Sequence, residues 1–135
     1  MPRQRSILVV DDNRDFRATM AELLERWGYA VHQAIDASEV VRKTLEVKPD
    51  ALMLDLMMPG GSGQRVLEQL RERTETRRLP VLLVTGWPRE LRPAEGLGPV
   101  EMLTKPITAD ALREALRRLR LEPPAAEAAS DGPAA

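Results

Sequence analysis

The length of 135 residues predicts a single domain with its own hydrophobic core, and a formal net charge of −1 gives no electrostatic case for binding nucleic acid. The sequence has no cysteine, which excludes disulfide bonds, thiolate catalysis and cysteine-based zinc sites. Its only histidine is His32, so a metal site with two histidine ligands is excluded as well.

Short apolar runs alternate with helical patterns in the first half of the chain. The run Ile7–Val10 predicts a strand, and an apolar stripe at helical spacing follows it and ends before Gly28. A second strand is predicted over Tyr29–Ala34. A second helix is predicted over about Ala37–Val47, and Pro49 ends it.

The same alternation continues in the second half. A third strand, Ala51–Leu54, is followed by a glycine-rich turn and a helix over Gln64–Glu72. Two further strands are predicted, Val81–Val84 and Val100–Thr104, and a last helix over about Ala109–Arg120. Proline and glycine punctuate residues 86–99 heavily, so only a short helix is predicted there, roughly over residues 88–95.

Five strands and five helices in alternation predict an α/β fold, a doubly wound five-stranded parallel sheet with helices on both faces. Right-handed crossovers leave few topologies, and the flavodoxin-like order 2-1-3-4-5 places strands 1 and 3 at the switch point. We expect this domain to occupy residues 1–121. Residues 122–135 have no apolar stripe and are predicted to be a disordered Pro/Ala-rich tail.

Polar side chains follow four of the five predicted strands. Asp11 and Asp12 follow the first strand, Asp55 the third, Thr85 the fourth and Lys105 the fifth. Because the carboxyl ends of parallel strands lie along one edge of a sheet, these groups should meet there. Crowded carboxylates repel one another and need a cation, whereas an ammonium and a hydroxyl beside them suit a phosphoryl oxygen.

Four motifs in order resemble the receiver domain of two-component response regulators. Each motif alone is common, but four at the ends of four separate strands are a specific set, and the resemblance covers roughly residues 5–121. The motifs are Leu8-Val9-Val10-Asp11-Asp12-Asn13, Asp55-Leu56-Met57-Met58-Pro59-Gly60-Gly61-Ser62-Gly63, Val84-Thr85-Gly86 and Lys105-Pro106.

The resemblance implies that Asp55 is the phosphoacceptor, which attacks a phosphohistidine to form an aspartyl phosphate. It also implies that Asp11, Asp12 and Asp55, with the backbone carbonyl of Met57, hold Mg²⁺ directly or through water. An oxygen-only site with room for water is what this ion prefers.

The resemblance implies roles for three further residues. Lys105 would pair with one phosphoryl oxygen, and Thr85 would donate its hydroxyl to another. A cis bond before Pro106 would direct Lys105 inward, and the small Gly86 would leave the acceptor accessible.

The resemblance also sets expectations for partners and location. The phosphodonor would be a sensor histidine kinase or a histidine phosphotransfer protein. The domain would transmit its signal by binding to a downstream protein whose identity the sequence does not give, and it could also form a homodimer. The chain would not be an enzyme for other substrates, because it would catalyse only its own phosphorylation and dephosphorylation. We see no DNA-binding module after residue 121 and therefore do not expect direct transcriptional control. The sequence has no cysteine, no membrane-length apolar run and no signal peptide at the start, so we expect a cytoplasmic protein.

Two rival functions stand beside this one. A receiver-like interaction module that relays no phosphate would keep the fold but would not need the complete set of polar residues. A phosphohydrolase of the aspartyl-phosphate type would want a carboxylate two residues after its nucleophile, where Met57 stands.

Several of these residues also have a simpler structural interpretation. Asp11 or Asp12 could cap the first helix, and the turn at residues 60–63 lacks the spacing of a phosphate-binding loop. His32 is predicted to be solvent-exposed on an edge strand. The cluster Met53, Met57 and Met58 is predicted to contribute packing and no ligands.

The sequence departs from the family pattern at Met102 and in the approach to the fifth strand, Gly96-Leu97-Gly98-Pro99-Val100. Met102 stands where the family usually has a switch aromatic, so we expect output to be read from residues 86–99. Met57 and Trp87 stand two residues after Asp55 and Thr85, where they would overlook the phosphoryl group. A thioether and an indole orient water poorly, so a long-lived phosphoaspartate is predicted.

Overall fold

A computed structural model describes residues 4–58, 61–86 and 98–123, and its central element is a five-stranded parallel sheet. The strands of this sheet are β1 (Ser6–Val10), β2 (Ala30–Ala34), β3 (Ala51–Asp55), β6 (Val81–Thr85) and β7 (Val100–Thr104). Their order is β2-β1-β3-β6-β7, so the predicted order 2-1-3-4-5 is confirmed. Two short antiparallel segments, β4 (Met57–Met58) and β5 (Gly61–Ser62), follow β3.

Four α-helices cover the sheet in the described part of the chain. They are α1 (Arg14–Arg26), α2 (Val40–Val47), α3 (Gly63–Arg71) and α4 (Ala109–Arg118). The apolar residues of α1 and α4 pack on one face, and those of α2 and α3 pack on the other, so the predicted two-sided arrangement is confirmed. The helix predicted over residues 88–95 lies outside the described residues.

The strands in the middle of the sheet are buried on both faces. Every residue of β1, β3 and β6 is buried, which explains why these strands appear in the sequence as unbroken apolar runs. In β1, Ile7 and Val9 contact the α1/α4 core, whereas Leu8 and Val10 contact the α2/α3 core. The edge strand β2 is only partly covered, and its His32 is half-buried, so the prediction of a solvent-exposed histidine is wrong.

Side-chain caps determine where the helices begin. The Ser62 hydroxyl accepts a hydrogen bond from the Arg65 N–H at 3.1 Å, so α3 begins at Gly63, one residue before the predicted start. The Asp36 carboxylate accepts from the Ser38 N–H at 2.9 Å, and the predicted second helix therefore opens with a 3-10 turn over Ala37–Glu39.

The chain reverses direction after α4. Arg120 has a φ of +62°, and the Leu121 N–H donates to the Leu116 carbonyl at 2.8 Å. The Tyr29 hydroxyl donates to the Leu121 carbonyl, and burial raises the pKa of this phenol. Pro123 is buried. The first two residues of the predicted tail thus have a defined conformation, while its disorder over residues 124–135 stays a prediction.

Within the three described stretches, no helix is both long enough and apolar enough to cross a bilayer.

Position 63 requires a glycine, because α3 closely approaches the backbone at the end of β3. Its N–H donates to the Leu56 carbonyl at 3.0 Å, and a Cβ added to Gly63 would overlap the Asp55 carbonyl oxygen and lie 2.9 Å from the Leu56 Cα. Both neighbours are backbone atoms, which have little room to move. Gly63→Ala should therefore lower the free energy of unfolding by about 1–3 kcal/mol, measured by urea denaturation.

Gly86→Ala is the matched control for this substitution. Among the described residues, no heavy atom beyond the neighbours of Gly86 in the chain lies within 4 Å of its added Cβ. This variant should be neutral or more stable by roughly 0.4–1 kcal/mol, because alanine restricts the unfolded chain. Equal destabilisation of both variants would show that crowding at β3 is not the cause.

Candidate functional site

The sheet order brings the predicted polar residues to one edge. Asp11 follows β1 directly, Asp55 is the last residue of β3 and Thr85 is the last residue of β6. Lys105 follows β7, and its N–H donates to the Thr85 carbonyl at 2.8 Å. The bond between Lys105 and Pro106 is cis, as the resemblance implied.

Lys105 joins two of the carboxylates. Its Nζ lies 2.8 Å from Asp11 Oδ2 and 3.5 Å from Asp55 Oδ2. The side chain of Asp11 is fully buried and that of Asp55 is 8% exposed, whereas that of Lys105 is 30% exposed. The ammonium therefore lies at the mouth of the site, between a buried carboxylate and solvent.

The acidic turn after β1 is held by several backbone contacts. Asp11 Oδ1 accepts from the Asn13 N–H at 2.8 Å, and the Asp11 N–H donates to the Ala34 carbonyl at 3.3 Å. The cap of α1 is Asn13, whose Oδ1 accepts from the Phe16 N–H at 2.9 Å. The alternative in which Asp11 or Asp12 caps this helix is therefore wrong.

The electrostatic state of Asp55 reflects its crowded position. Burial raises the pKa of this carboxyl, and the negative charge of Asp11 raises it further, against the opposing effects of the Met57 N–H and of Lys105. The Met57 N–H donates to Asp55 Oδ1 at 3.0 Å. Burial by itself would lower the pKa of Lys105, but the hydrogen bond to Asp11 and the charge of Asp55 outweigh it, and this pKa is raised.

The three carboxylates form a set of oxygen donors that fits a hard divalent cation. Asp11, Asp12 and Asp55 each offer one carboxylate oxygen, and these atoms lie within 4.8 Å of one another. A single ammonium against three carboxylates leaves an excess of negative charge. Oxygen-only donors with excess negative charge suit Mg²⁺. The Met57 backbone carbonyl as a further ligand stays a prediction.

The remaining site predictions have mixed outcomes. Thr85 is fully buried, and the role of its hydroxyl stays a prediction. Met53 lies in the α1/α4 core and Met58 packs against the α2/α3 core, but Met57 is 63% exposed, so the packing interpretation is wrong for Met57. Trp87 lies outside the described residues.

The turn after β3 is not a phosphate-binding loop in its described part. Gly61 pairs with Met58 and Ser62 pairs with Met57 in the small β4–β5 ribbon, and Ser62 also caps α3. This agrees with the predicted turn. Gly60 lies outside the described residues.

Two residues of α1 contact the site, and the sequence analysis did not predict either of them as a site residue. The ring of Phe16 lies under Lys105, with Nζ 4.4 Å from the ring centroid. Arg17 donates to the Asp11 backbone carbonyl at 2.7 Å and to Gln33 Oε1 at 3.1 Å. Phe16 belonged to the predicted apolar stripe, and its position one turn after the acid pair was the available signal.

Comparisons with known proteins match the chain to one family. The family described as the response regulator receiver domain matches residues 7–117. The transcriptional regulatory protein ResD of Bacillus subtilis is 34% identical over 119 residues, which cover 87% of this chain and 47% of ResD. The chain thus spans about half the length of the curated relatives it matches.

Two solved structures have the same fold. The chemotaxis response regulator CheY4 of Vibrio cholerae superposes with a TM-score of 0.78 at 25% identity, covering 87% of this chain and 99% of CheY4. The receiver domain of the sensor histidine kinase PA1611 of Pseudomonas aeruginosa superposes with a TM-score of 0.77 at 24% identity, covering 87% and 99%, and supports the fold alone. The resemblance stated from the four motifs is confirmed.

The raised pKa of Asp55 predicts how stability depends on pH. A carboxyl whose pKa is higher in the folded state binds more protons there, so the protein loses stability as pH rises through the raised value. Asp55→Asn removes this cost. Without divalent metal, the variant should melt at a higher temperature than wild type at neutral pH, and the difference should vanish below the ordinary aspartate pKa of 3.8.

Asp12→Asn is the control for this measurement. Asp12 is exposed, so removing its charge relieves repulsion within the cluster but no cost of burial, and the variant should gain less in melting temperature than Asp55→Asn across the same range. A melting temperature of Asp55→Asn that does not exceed that of wild type at neutral pH would contradict the prediction.

Proposed function

Because the chain belongs to the response regulator receiver domain family, we propose that Asp55 is the residue through which it acts as a phosphoacceptor in two-component signalling. The observation that carries the assignment is the different accessibility of the carboxylates. Asp11 is fully buried and both of its oxygens are engaged, by the Asn13 N–H and by Lys105. The Asp55 side chain is 8% exposed, and its Oδ2 lies 3.5 Å from Lys105 Nζ, a longer contact than the 2.8 Å contact of Asp11.

The chemistry assigns a role to each residue around the acceptor. A carboxylate oxygen of Asp55 attacks the phosphorus, and the bond between phosphorus and the donor imidazole nitrogen breaks, with its electron pair leaving on the imidazole. Lys105, at the mouth of the site, pairs with a phosphoryl oxygen. Thr85 donates its hydroxyl to another.

The acid cluster is proposed as the Mg²⁺ site. Asp11, Asp12 and Asp55 would hold the ion with the backbone carbonyl of Met57. An Mg²⁺ ion held by these residues would supply positive charge that offsets the negative charge developing during transfer. The donor set supports this, and a magnesium ion is coordinated in the active site cleft of the PA1611 receiver domain.

The phosphodonor proposed is a sensor histidine kinase or a histidine phosphotransfer protein, and the output proposed is binding to another protein. ResD is described as a transcriptional regulatory protein, and this chain matches only about half of it. A transcriptional role therefore does not transfer with the match. We also propose that the domain catalyses no reaction beyond its own phosphorylation and dephosphorylation, and that it acts in the cytoplasm.

Incubation with acetyl phosphate and Mg²⁺ should add one phosphoryl group, visible in the intact mass. Asp55→Asn should abolish the addition, because neither of the other two carboxylates is a suitable acceptor. Asp11 is buried with both oxygens engaged, and Asp12 is proposed to bind the metal. Asp110→Asn is the control, since Asp110 is 95% exposed on α4 and does not belong to the cluster of Asp11, Asp12 and Asp55. Labelling of Asp55→Asn to the wild-type level would overturn the assignment.

The exposed thioether of Met57 should slow the loss of the phosphoryl group. The Met57 backbone N–H donates to Asp55, so the Met57 side chain begins next to the acceptor. A thioether there cannot orient a water for attack. Met57→Asn should speed hydrolysis of the phosphorylated protein roughly ten- to hundredfold, which corresponds to about 1–3 kcal/mol of barrier. The sequence predicts the same effect for Trp87→Glu.

The control for this rate is Ile35→Asn. Ile35 is 55% exposed and follows β2, so the substitution also replaces an exposed apolar side chain with an amide. Its hydrolysis rate, followed by intact mass over time, should equal that of wild type. If Met57→Asn and Trp87→Glu leave the rate unchanged, the side chains do not shield the phosphoryl group.

A further inference from the structure

Among the described residues, the Lys105 side chain has three partners at the mouth of the site, and they differ in chemical kind. Two are carboxylate oxygens, Asp11 Oδ2 at 2.8 Å and Asp55 Oδ2 at 3.5 Å. The third is the face of the Phe16 ring, whose centroid lies 4.4 Å from Nζ. An ammonium at this distance from a ring face is attracted by the negative charge density of the π-system.

The two carboxylate contacts depend on the state of the site. Under the proposed function, Asp11 and Asp55 share their charge with a divalent cation, and Asp55 also becomes the phosphoryl ester. Both changes weaken the attraction of these groups for Lys105, because their negative charge is neutralised or moved. A four-carbon side chain that loses its ion pairs regains freedom to leave the site for water.

The ring contact does not depend on that state. Phe16 carries no charge that a cation could neutralise, and its ring accepts no strong hydrogen bond that would occupy the ammonium donors. The N–H groups of Lys105 therefore stay available for a phosphoryl oxygen while the ring holds the nitrogen in place.

Phe16 is itself fixed to the acidic turn. Its N–H donates to Asn13 Oδ1 at 2.9 Å, and the Asn13 N–H donates to Asp11 Oδ1 at 2.8 Å. The side chain is half-buried and packs against the core formed by α1 and α4 with the sheet. The ring position is thus set by the helix cap and by core packing, and not by Lys105.

We propose that Phe16 is a positioning residue, whose ring holds the Lys105 ammonium beside the acceptor when its carboxylate partners are engaged elsewhere. The inference rests on the proposed function of the site. It assigns Phe16 a role beyond core packing, because leucine would fill a similar apolar volume but would offer no π face.

The first test is spectroscopic and needs no turnover. A methylene group above a ring face is shifted upfield, so the Lys105 ε-protons should resonate upfield in wild type, both without ligand and with Mg²⁺ and beryllofluoride. Phe16→Leu should abolish the shift in both states, and Phe16→Tyr should retain it. Wild-type ε-protons at the position of an exposed lysine in the beryllofluoride state would overturn the proposal.

The second test is a double-mutant cycle on the affinity for beryllofluoride in the presence of Mg²⁺. Phe16→Leu should weaken binding about two- to thirtyfold, the range expected for a cation–π contact, and Phe16→Tyr should restore it. In a Lys105→Met background, Phe16→Leu should have no further effect. Equal losses in both backgrounds would mean that Phe16 acts through packing alone.

A matched variant controls for stability. Leu23→Ala removes another partly buried side chain of α1 from the same core, without contact to Lys105, and should lower the melting temperature while leaving beryllofluoride affinity unchanged. The two hypotheses fail differently. Labelling of Asp55→Asn by acetyl phosphate would refute the proposed function, whereas wild-type affinity in Phe16→Leu, with Asp55 still required for labelling, would refute only the role of Phe16.

Discussion

The buried carboxylate of Asp11 is the constraint on which the site depends. A fully buried ionised group without a partner would cost several kcal/mol, so the fold must supply compensating contacts. The Asn13 N–H provides one at 2.8 Å and the Lys105 ammonium another at 2.8 Å. Lys105 follows β7 and Asp11 follows β1, with β3 and β6 between them, so this ion pair spans most of the sheet edge.

The same contacts give each carboxylate of the site a different character. Asp11 is closed to solvent and has both oxygens engaged, whereas Asp12 is exposed and Asp55 lies between these extremes. Three identical functional groups thus have different surroundings because of their positions at the strand ends. Burial and the negative charge of Asp11 raise the pKa of Asp55, and a divalent cation would offset both effects.

The sequence predicted the strand order and the meeting of Asp11, Asp55 and Lys105, because fully buried parallel strands leave unbroken apolar runs and polar residues follow them. It did not predict details that depend on tertiary contacts. Met57 looks like a core residue by type, yet the β4–β5 ribbon turns it outward. Phe16 was assigned to the core by its spacing, but helical periodicity carries no information about a lysine that lies far along the chain.

Any group added to Asp55 must rearrange contacts that already exist. Its Oδ1 accepts from the Met57 N–H and its Oδ2 lies against Lys105, so no oxygen of this carboxylate is without a neighbour. The backbone around it is equally constrained, since the Leu56 N–H donates to the Val84 carbonyl at 2.9 Å and Gly63 packs against the Asp55 carbonyl. Phosphorylation as proposed would therefore displace either the β4 backbone or Lys105. Because β4 leads into α3 and Lys105 leads into α4, displacement of β4 would reach the face covered by α2 and α3, and displacement of Lys105 would reach the face covered by α1 and α4.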